Sequence, residues 1–363
     1  MDTFKRVCLI PRLSGVGGMV SFQHKLVTGL AQRDIQVTYD PSDTPYEAVL
    51  VVGGTRELAA LWRARRRGIP VVQRLDGMNW LHRLRMPDGS RTGLRHYLRS
   101  EYGNLILSLI RVRLADYIVY QSEFSQRWWE QVRGSTPVPA AVVYNGIDLE
   151  RFTPQGEGGR PADRWRLLMV EGSLMGGYEV GLESGVELAR RLAARERSSH
   201  SQKLVELMVV GRSTPRLQKR WQNELDGHAG IKLRWEGLVS HERIPAIDRS
   251  AHLMYSADLN AACPNSVIEA LACGLPVVAF DTGALPELVA DDAGKIVAYG
   301  GDPWKLEPAD VPSLAEAACE VLNQQERFRS AARQRAEALL GLQRMTDGYL
   351  QAFAAARAVI GGS

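Results

Sequence analysis

Short, continuously apolar runs separated by helix-length segments constrain this chain more than any other feature. Ala48-Val49-Leu50-Val51-Val52 carries no polar side chain in its five positions and stops at Gly53-Gly54. A strand with one face in water would alternate. A run like this one is buried on both faces, as strands of parallel sheets are. Strand-like runs recur at residues 7–10, 35–38, 70–72 and 117–120. Helical stretches lie between them, at 20–31 (Val20, Val27, Leu30 and Ala31 at helical spacing) and at 58–67, closed by Gly68. A second set starts near Arg166, with strands expected at 167–170, 206–210, 232–235, 252–255, 277–280 and 295–297. Residues 313–360 read as largely Ala-rich helix. Such alternation predicts an α/β chain with doubly wound parallel sheets.

A length of 363 residues exceeds one ordinary core and predicts two domains. The Gly- and Pro-rich, charged stretch Gln155-Gly-Glu-Gly-Gly-Arg-Pro-Ala-Asp-Arg164 has the composition of a linker. The boundaries expected are 1–155 for the first domain and 156–345 for the second, with 346–363 as a terminal helix. No apolar run reaches the ~18 residues of a spanning helix. The opening MDTFKRVCLIPRL is too short in apolar residues for a signal peptide and reads as a first strand. Cys8, Cys263, Cys273 and Cys319 form no CxxC pair and no metal-type spacing, so reduced thiols in a cytoplasmic protein are expected.

The net charge of +4 is unevenly spread. Residues 1–155 hold 21 Lys and Arg against 14 Asp and Glu, and the remainder holds 24 against 27. Arg56, Arg63, Arg65, Arg66, Arg67, Arg83, Arg85, Arg91, Arg95 and Arg99 make up much of that excess. Two readings stand: a solvated arginine-rich helix face, or attraction to anionic lipid head groups or an anionic acceptor at the inner membrane face. Nothing in the chain calls for nucleic acid.

The densest chemistry lies in LNAACPNSVIEALACGLPVVAFDTGALPE, residues 259–287. Asn265, Ser266 and Val267 open a helix that Gly274 ends, and their first-turn amides form an anion site. The side chains of Asn265 and Ser266 can cap that helix. Glu269 beside them can accept hydroxyl protons, so phosphate and ribose of a nucleoside diphosphate suit the pair. An ordinary βαβ crossover is the alternative. VVYNGIDLERFTP, residues 142–154, reads as a strand, a turn at Asn145-Gly146 and a polar exit.

Both segments resemble signatures of the retaining GT4-type glycosyltransferases (glycosyl transferases group 1), namely E-A-x-A-C-G-x-P-V-V-A and NG-[VI]-D-x-x-x-F-x-P. The resemblance implies a GT-B fold, two facing Rossmann-like doubly wound domains with a central cleft, and a last helix that crosses back onto the first domain. It implies transfer of a hexosyl group from a nucleotide sugar, UDP- or GDP-linked, to a glycan or lipid-linked acceptor with retention of configuration. The nucleotide sugar is then a co-substrate, and neither cofactor nor metal is needed. It implies front-side chemistry, in which the enzyme supplies electrostatics and positioning.

Site residues follow position by position. Gly15-Val16-Gly17-Gly18 is either a tight turn or, by the resemblance, a loop facing the donor diphosphate through Gly17 and Gly18. Asp76, ending the third apolar run, stands where the family has a histidine; it is a helix or turn cap, a ligand of a sugar hydroxyl, or the acceptor's base. Glu269 matches the second of two glutamates eight positions apart, the one that touches ribose. The first falls at Ala261, with Asp258 nearby but out of register. Gly172 and Ser173 lie where the family has Gly-Arg, and Val180 near its lysine. Amides of that glycine-rich loop with the Ser173 hydroxyl can still cradle phosphate, with Arg212 as a source of charge. Ser240, in the Gly237–Ser240 loop that resembles the one holding the nucleobase, also reads as a helix cap. Glu287 is either a neighbour of the donor residues or a first-turn acid.

The departures at Asp76, Ser173, Val180 and Ala261 keep two alternatives open, a non-catalytic sugar-nucleotide-binding protein and a nucleotide-sugar 2-epimerase of the same fold. A dinucleotide-dependent oxidoreductase ranks last, because GxGxxG is absent.

Overall fold

The computed structural model describes residues 4–15, 17–84, 93–174, 179–198 and 203–361. The chain divides into two compact units, residues 1–146 with 341–363, and residues 147–340. Each is built on one six-stranded sheet.

In the first unit the sheet runs in the order β2 (Gln36–Thr38), β1 (Arg6–Ile10), β3 (Val49–Val52), β4 (Val71–Leu75), β5 (Tyr117–Tyr120), β6 (Ala140–Val142), every pair parallel. Successive side chains point to opposite faces. Val7, Leu9, Leu50 and Val52 therefore join one core with Phe22 and Leu26 of α1 (Gly18–Ala31). Cys8, Ile10, Val49 and Val51 join another, with Leu61 and Ala64 of α2 (Leu58–Arg66). That two-sided burial is why these strands read as unbroken apolar runs. Two helices the sequence reading did not assign complete this part: α3 (Leu94–Leu109), continued by a π-helical stretch Ile110–Leu114, and α4 (Glu123–Arg133).

The second unit adds strands in the order β12 (Gly294–Val297), β11 (Val277–Phe280), β10 (Leu253–Tyr255), β7 (Arg164–Ser173), β8 (Leu204–Arg212), β9 (Ile231–Gly237), again all parallel. One face packs on α5 (Val180–Arg197) and α10 (Val311–Asn323), through Leu182, Val186, Leu314 and Val321. The remaining helices are α6 (Pro215–Leu225), α7 (Ile244–Ser250), α8 (Asn265–Ala272), α9 (Leu285–Leu288) and α11 (Gln325–Leu339).

The chain ends in α12 (Leu342–Gly361), which belongs to the first unit. Tyr349 and Phe353 of α12 lie in the same core as Phe22 and Leu26. Gly29 of α1 permits that approach, since a Cβ there would stand 2.1 Å from Thr346 Oγ1. All four cysteines are free thiols, and burial pushes that of Cys8 up to about 12. Among the described residues no helix is long and apolar enough to cross a membrane.

Candidate functional site

In the second sheet the order of strand addition reverses between β7 and β10. Ligands of open α/β sheets bind at such a reversal, beyond the carboxyl ends of the strands. The loop leaving β10 leads into α8 and is fastened from beneath. Thr282 Oγ1 donates to Asp258 O (3.3 Å), and the Ala284 N–H donates to Ala261 O (2.9 Å). Ala261 is thus held by its backbone, at the position where a family carboxylate was expected.

Helix α8 starts at Asn265 with Pro264 in the cap position, and no side chain caps it. This corrects the capping role expected of Asn265 and Ser266. Asn265 lies one position and Ser266 two positions past the cap, the place from which a side chain reaches the first free amides. The amides of Ser266 and Val267 have no acceptor within the helix, and the positive end of its dipole coincides with them. At the other end Arg333 Nη1 donates to Ala272 O (2.7 Å) and Phe152 O (2.7 Å), and its Nη2 to Leu149 O (3.1 Å). A cation on the last turn suits the dipole and anchors α8 to the segment after residue 147.

Glu269 lies one turn into α8 and is 6% exposed. Its Oε1 is 3.4 Å from His241 Nε2, and the His241 ring lies over Phe152, centroids 5.3 Å apart. Asp248 is fully buried close by. Burial first, and then the charge of Glu269, hold its carboxyl well above the usual carboxylate range. Ser240 stands at the cap of the short turn His241–Arg243 but accepts no capping bond. Glu287 is in the first turn of α9.

At the other side of the reversal, β7 ends in a bulge between Val170 and Ser173, and Ser173 is the register partner of Arg212 at the end of β8. The Leu174 N–H donates to Arg212 O (2.8 Å). Gly211 makes this corner possible. Its φ is +144°, and a Cβ there would stand 1.9 Å from Glu171 O. A hydroxyl and an exposed guanidinium therefore end adjacent strands, with exposed Gly172 beside them. Gly176 and Gly177 of the expected glycine-rich loop lie outside the described residues. Val180 opens α5.

Sequence reasoning passed over two polar groups here, Glu171 and Asn260, and set Asp258 aside as out of register. Glu171 and Asp258 leave the adjacent strands β7 and β10; burial raises both carboxyls, and the Asp258 charge raises Glu171 further. The available signal was a single acid closing the apolar run Leu167-Leu-Met-Val-Glu171. Asn260, 5% exposed with φ +56°, buries an Nδ2 that has no partner.

In the first unit the reversal lies between β1 and β3. Gly17 holds the cap position of α1 without a capping side chain, and Gly18 is the first helical residue; Val16 lies outside the described residues. Asp76 follows β4. A Cβ on Gly53, which follows β3, would stand 3.7 Å from Asp76 Oδ1 and 3.6 Å from Met19 Sδ. The Asp76 carbonyl accepts Trp129 Nε1–H at 2.7 Å. Trp128 and Trp129 are both buried, which assigns them to packing. Arg74 was missed as a site component. It is 1% exposed, its guanidinium lies 3.8 Å over the Phe22 ring, Nη2 donates to Asn145 Oδ1 (3.3 Å), and Nη1 is 3.7 Å from Asp76 Oδ2. A buried cation thus backs the Asp76 carboxylate. Among the described residues no three His, Cys, Asp or Glu form a group that could hold a metal ion.

Two family profiles match this chain: Glycosyltransferase Family 4 over residues 49–151, and Glycosyl transferases group 1 over residues 175–324. The chain belongs to the GT4-type glycosyltransferases. Among curated members of this kind, the D-inositol 3-phosphate glycosyltransferase of Geodermatophilus obscurus is 29% identical over 250 residues, 67% of this chain and 53% of that protein. The GT4-type chain described here spans about half the length of the curated relatives it matches. Sucrose-phosphate synthase from Thermosynechococcus elongatus superposes with a TM-score of 0.70 at 15% identity, over 99% of this chain and all of that one. The Anabaena protein HepE, solved with UDP and glucose, gives 0.63 at 15%, over 97% of this chain and all of that one. At such identity these likenesses show the GT-B fold alone.

Proposed function

We propose that this chain transfers a hexosyl group from a nucleotide sugar to a glycan or lipid-linked acceptor, with retention and without a metal ion. One observation carries the reading: Glu269 is buried one turn behind the uncapped N-terminus of α8, at the strand-order reversal of a dinucleotide-type sheet. Amides of Ser266 and Val267 then receive phosphate oxygens, and Glu269, steadied by His241, accepts ribose hydroxyls. Ser173 and Arg212 supply a hydroxyl and a positive charge for the leaving diphosphate in place of the family's Arg and Lys. Asp76 is the candidate base or sugar ligand, and Gly17 and Gly18 are candidate contacts of the donor phosphates. Structural neighbours solved with UDP, and with UDP and glucose, support a uridine nucleotide donor. Relatives named for an inositol phosphate support a hydroxyl acceptor of the polyol class. The reaction belongs at the cytoplasmic face of a membrane if the acceptor is lipid-linked.

The absence of a carboxylate at Ala261 favours a second reading, a sugar-nucleotide binder without turnover. Nucleoside-diphosphate release from UDP-, GDP- and ADP-sugars, with and without mixed acceptors, separates the two. Acceptor-stimulated release that disappears in Glu269→Ala supports transfer. Binding of one donor with no release from any overturns it in favour of the binder.

A further inference from the structure

Helix α3 faces the wrong way for a soluble surface. Among the described residues twelve large apolar side chains are exposed, and seven of them lie between Leu94 and Val112. Leu94, Leu98, Tyr102, Leu105 and Leu109 are spaced at i, i+4, i+8, i+11 and i+15, one stripe of an α-helix. The stripe looks into solvent, with Leu94 74%, Leu98 57% and Leu105 58% exposed. The opposite side, through buried Asn104, faces the protein: Asn104 Nδ2 donates to Asn79 O (2.9 Å) and its Oδ1 accepts the Asn79 N–H (3.0 Å). A contiguous apolar patch of this size is a docking surface.

The charges around it name the partner. Arg95, Arg99 and Arg113 are exposed on the same segment, and the Arg56 guanidinium lies 6.0 Å from the Tyr102 ring. Glu101 is the one acidic residue from 94 to 114, and it is already bonded by Arg83 at 2.6 and 2.9 Å and contacted by His82 at 3.0 Å. Leucines that enter hydrocarbon, tyrosines beside them and unpaired arginines at the rim match an anionic bilayer surface. A second copy of this chain would set those arginines against each other.

We infer that α3 docks the protein on anionic phospholipid, with the Leu94–Leu109 stripe buried among acyl chains and Arg95 and Arg99 on the head groups. This deepens the lipid-linked acceptor reading above and rests on it for its purpose, not for its physics. The test is co-sedimentation of the full chain with phosphatidylcholine vesicles, with and without phosphatidylglycerol, at low and high salt. Wild type should pellet with the anionic vesicles and be released by salt. Leu98→Ser/Leu105→Ser should weaken partitioning by at least about ten-fold, because two leucines leave the acyl region. Arg95→Gln/Arg99→Gln should abolish the preference for anionic lipid. All four side chains point into solvent, so unfolding curves should match wild type and donor binding should be unchanged. Failure of wild type to bind anionic vesicles overturns the inference. So does binding that neither variant alters, or a stable dimer in solution that the leucine variant dissolves. Donor release with a soluble acceptor is measured beside it, so loss of docking and loss of transfer are read separately.

Discussion

Replacing Gly211 by alanine tests the corner at which Ser173 and Arg212 meet. The added Cβ would stand 1.9 Å from the Glu171 carbonyl oxygen, where contacts under 3.0 Å are essentially never tolerated, and both partners are backbone. No side-chain rotation relieves it. The ends of β7 and β8 must part by about 1 Å, and the Leu174 N–H bond to Arg212 O goes with them. A φ of +144° adds strain of about 1–3 kcal/mol for any residue with a Cβ. Overpacking adds about 1–3 kcal/mol and the lost hydrogen bond about 1 kcal/mol. These terms overlap, so a loss of about 3–5 kcal/mol is expected for Gly211→Ala. Gly172→Ala is the matched control, because its Cβ would meet nothing within 4 Å and its φ is not positive. It should stay within about 0.5 kcal/mol of wild type. Denaturant unfolding with linear extrapolation measures both, and calorimetry measures donor affinity in the same samples. If the corner holds the diphosphate, Gly211→Ala should also weaken donor binding by at least about ten-fold, or about 1.4 kcal/mol. A Gly211→Ala protein within about 1 kcal/mol of wild type would refute the packing argument.

Two further outcomes follow from the first unit. Hydrogen bonds from Arg83, and then from His82, hold the Glu101 carboxyl down to about 2, below its value in an unfolded chain; its stabilisation is full above the unfolded value and is lost as pH falls from about 5 to about 2. Wild type should lose on the order of 1 kcal/mol more than Glu101→Gln across that window, a screened figure for a partly exposed pair, and equal acid sensitivity in urea unfolding would contradict it. Trp129→Phe removes the Nε1–H bond to the Asp76 carbonyl and should cost about 1–2 kcal/mol of stability, with unchanged unfolding as the contrary result.

The strands were legible because burial on both faces leaves a record in composition. Tyr117–Tyr120 and Val277–Phe280 coincide with the apolar runs that announced them, nine others differ from their expected ranges only at the ends, and β6 is displaced, ending at Val142 where the expected strand began. Helix α3 was not legible for the converse reason. Four of its leucines face solvent and an asparagine faces the protein, so a rule that assigns apolar residues to the core has little to hold. Glu269 could be singled out because its neighbours in sequence are its neighbours on α8. Arg74 could not, since its environment of Phe22, Asn145 and Asp76 is assembled from three separate elements.

Local order therefore determined one class of facts: alternating strand and helix, parallel sheets, a helix start suited to an anion with an acid one turn behind. Those depend on spacing along the chain. The tertiary structure decided which strand ends are neighbours. Ser173 meets Arg212, and Glu171 lies beside Asp258, only because β7 sits between β8 and β10. Strand order is set by how crossover helices pack on the two faces of a sheet, and that packing is a property of the whole core, which no stretch of sequence carries by itself.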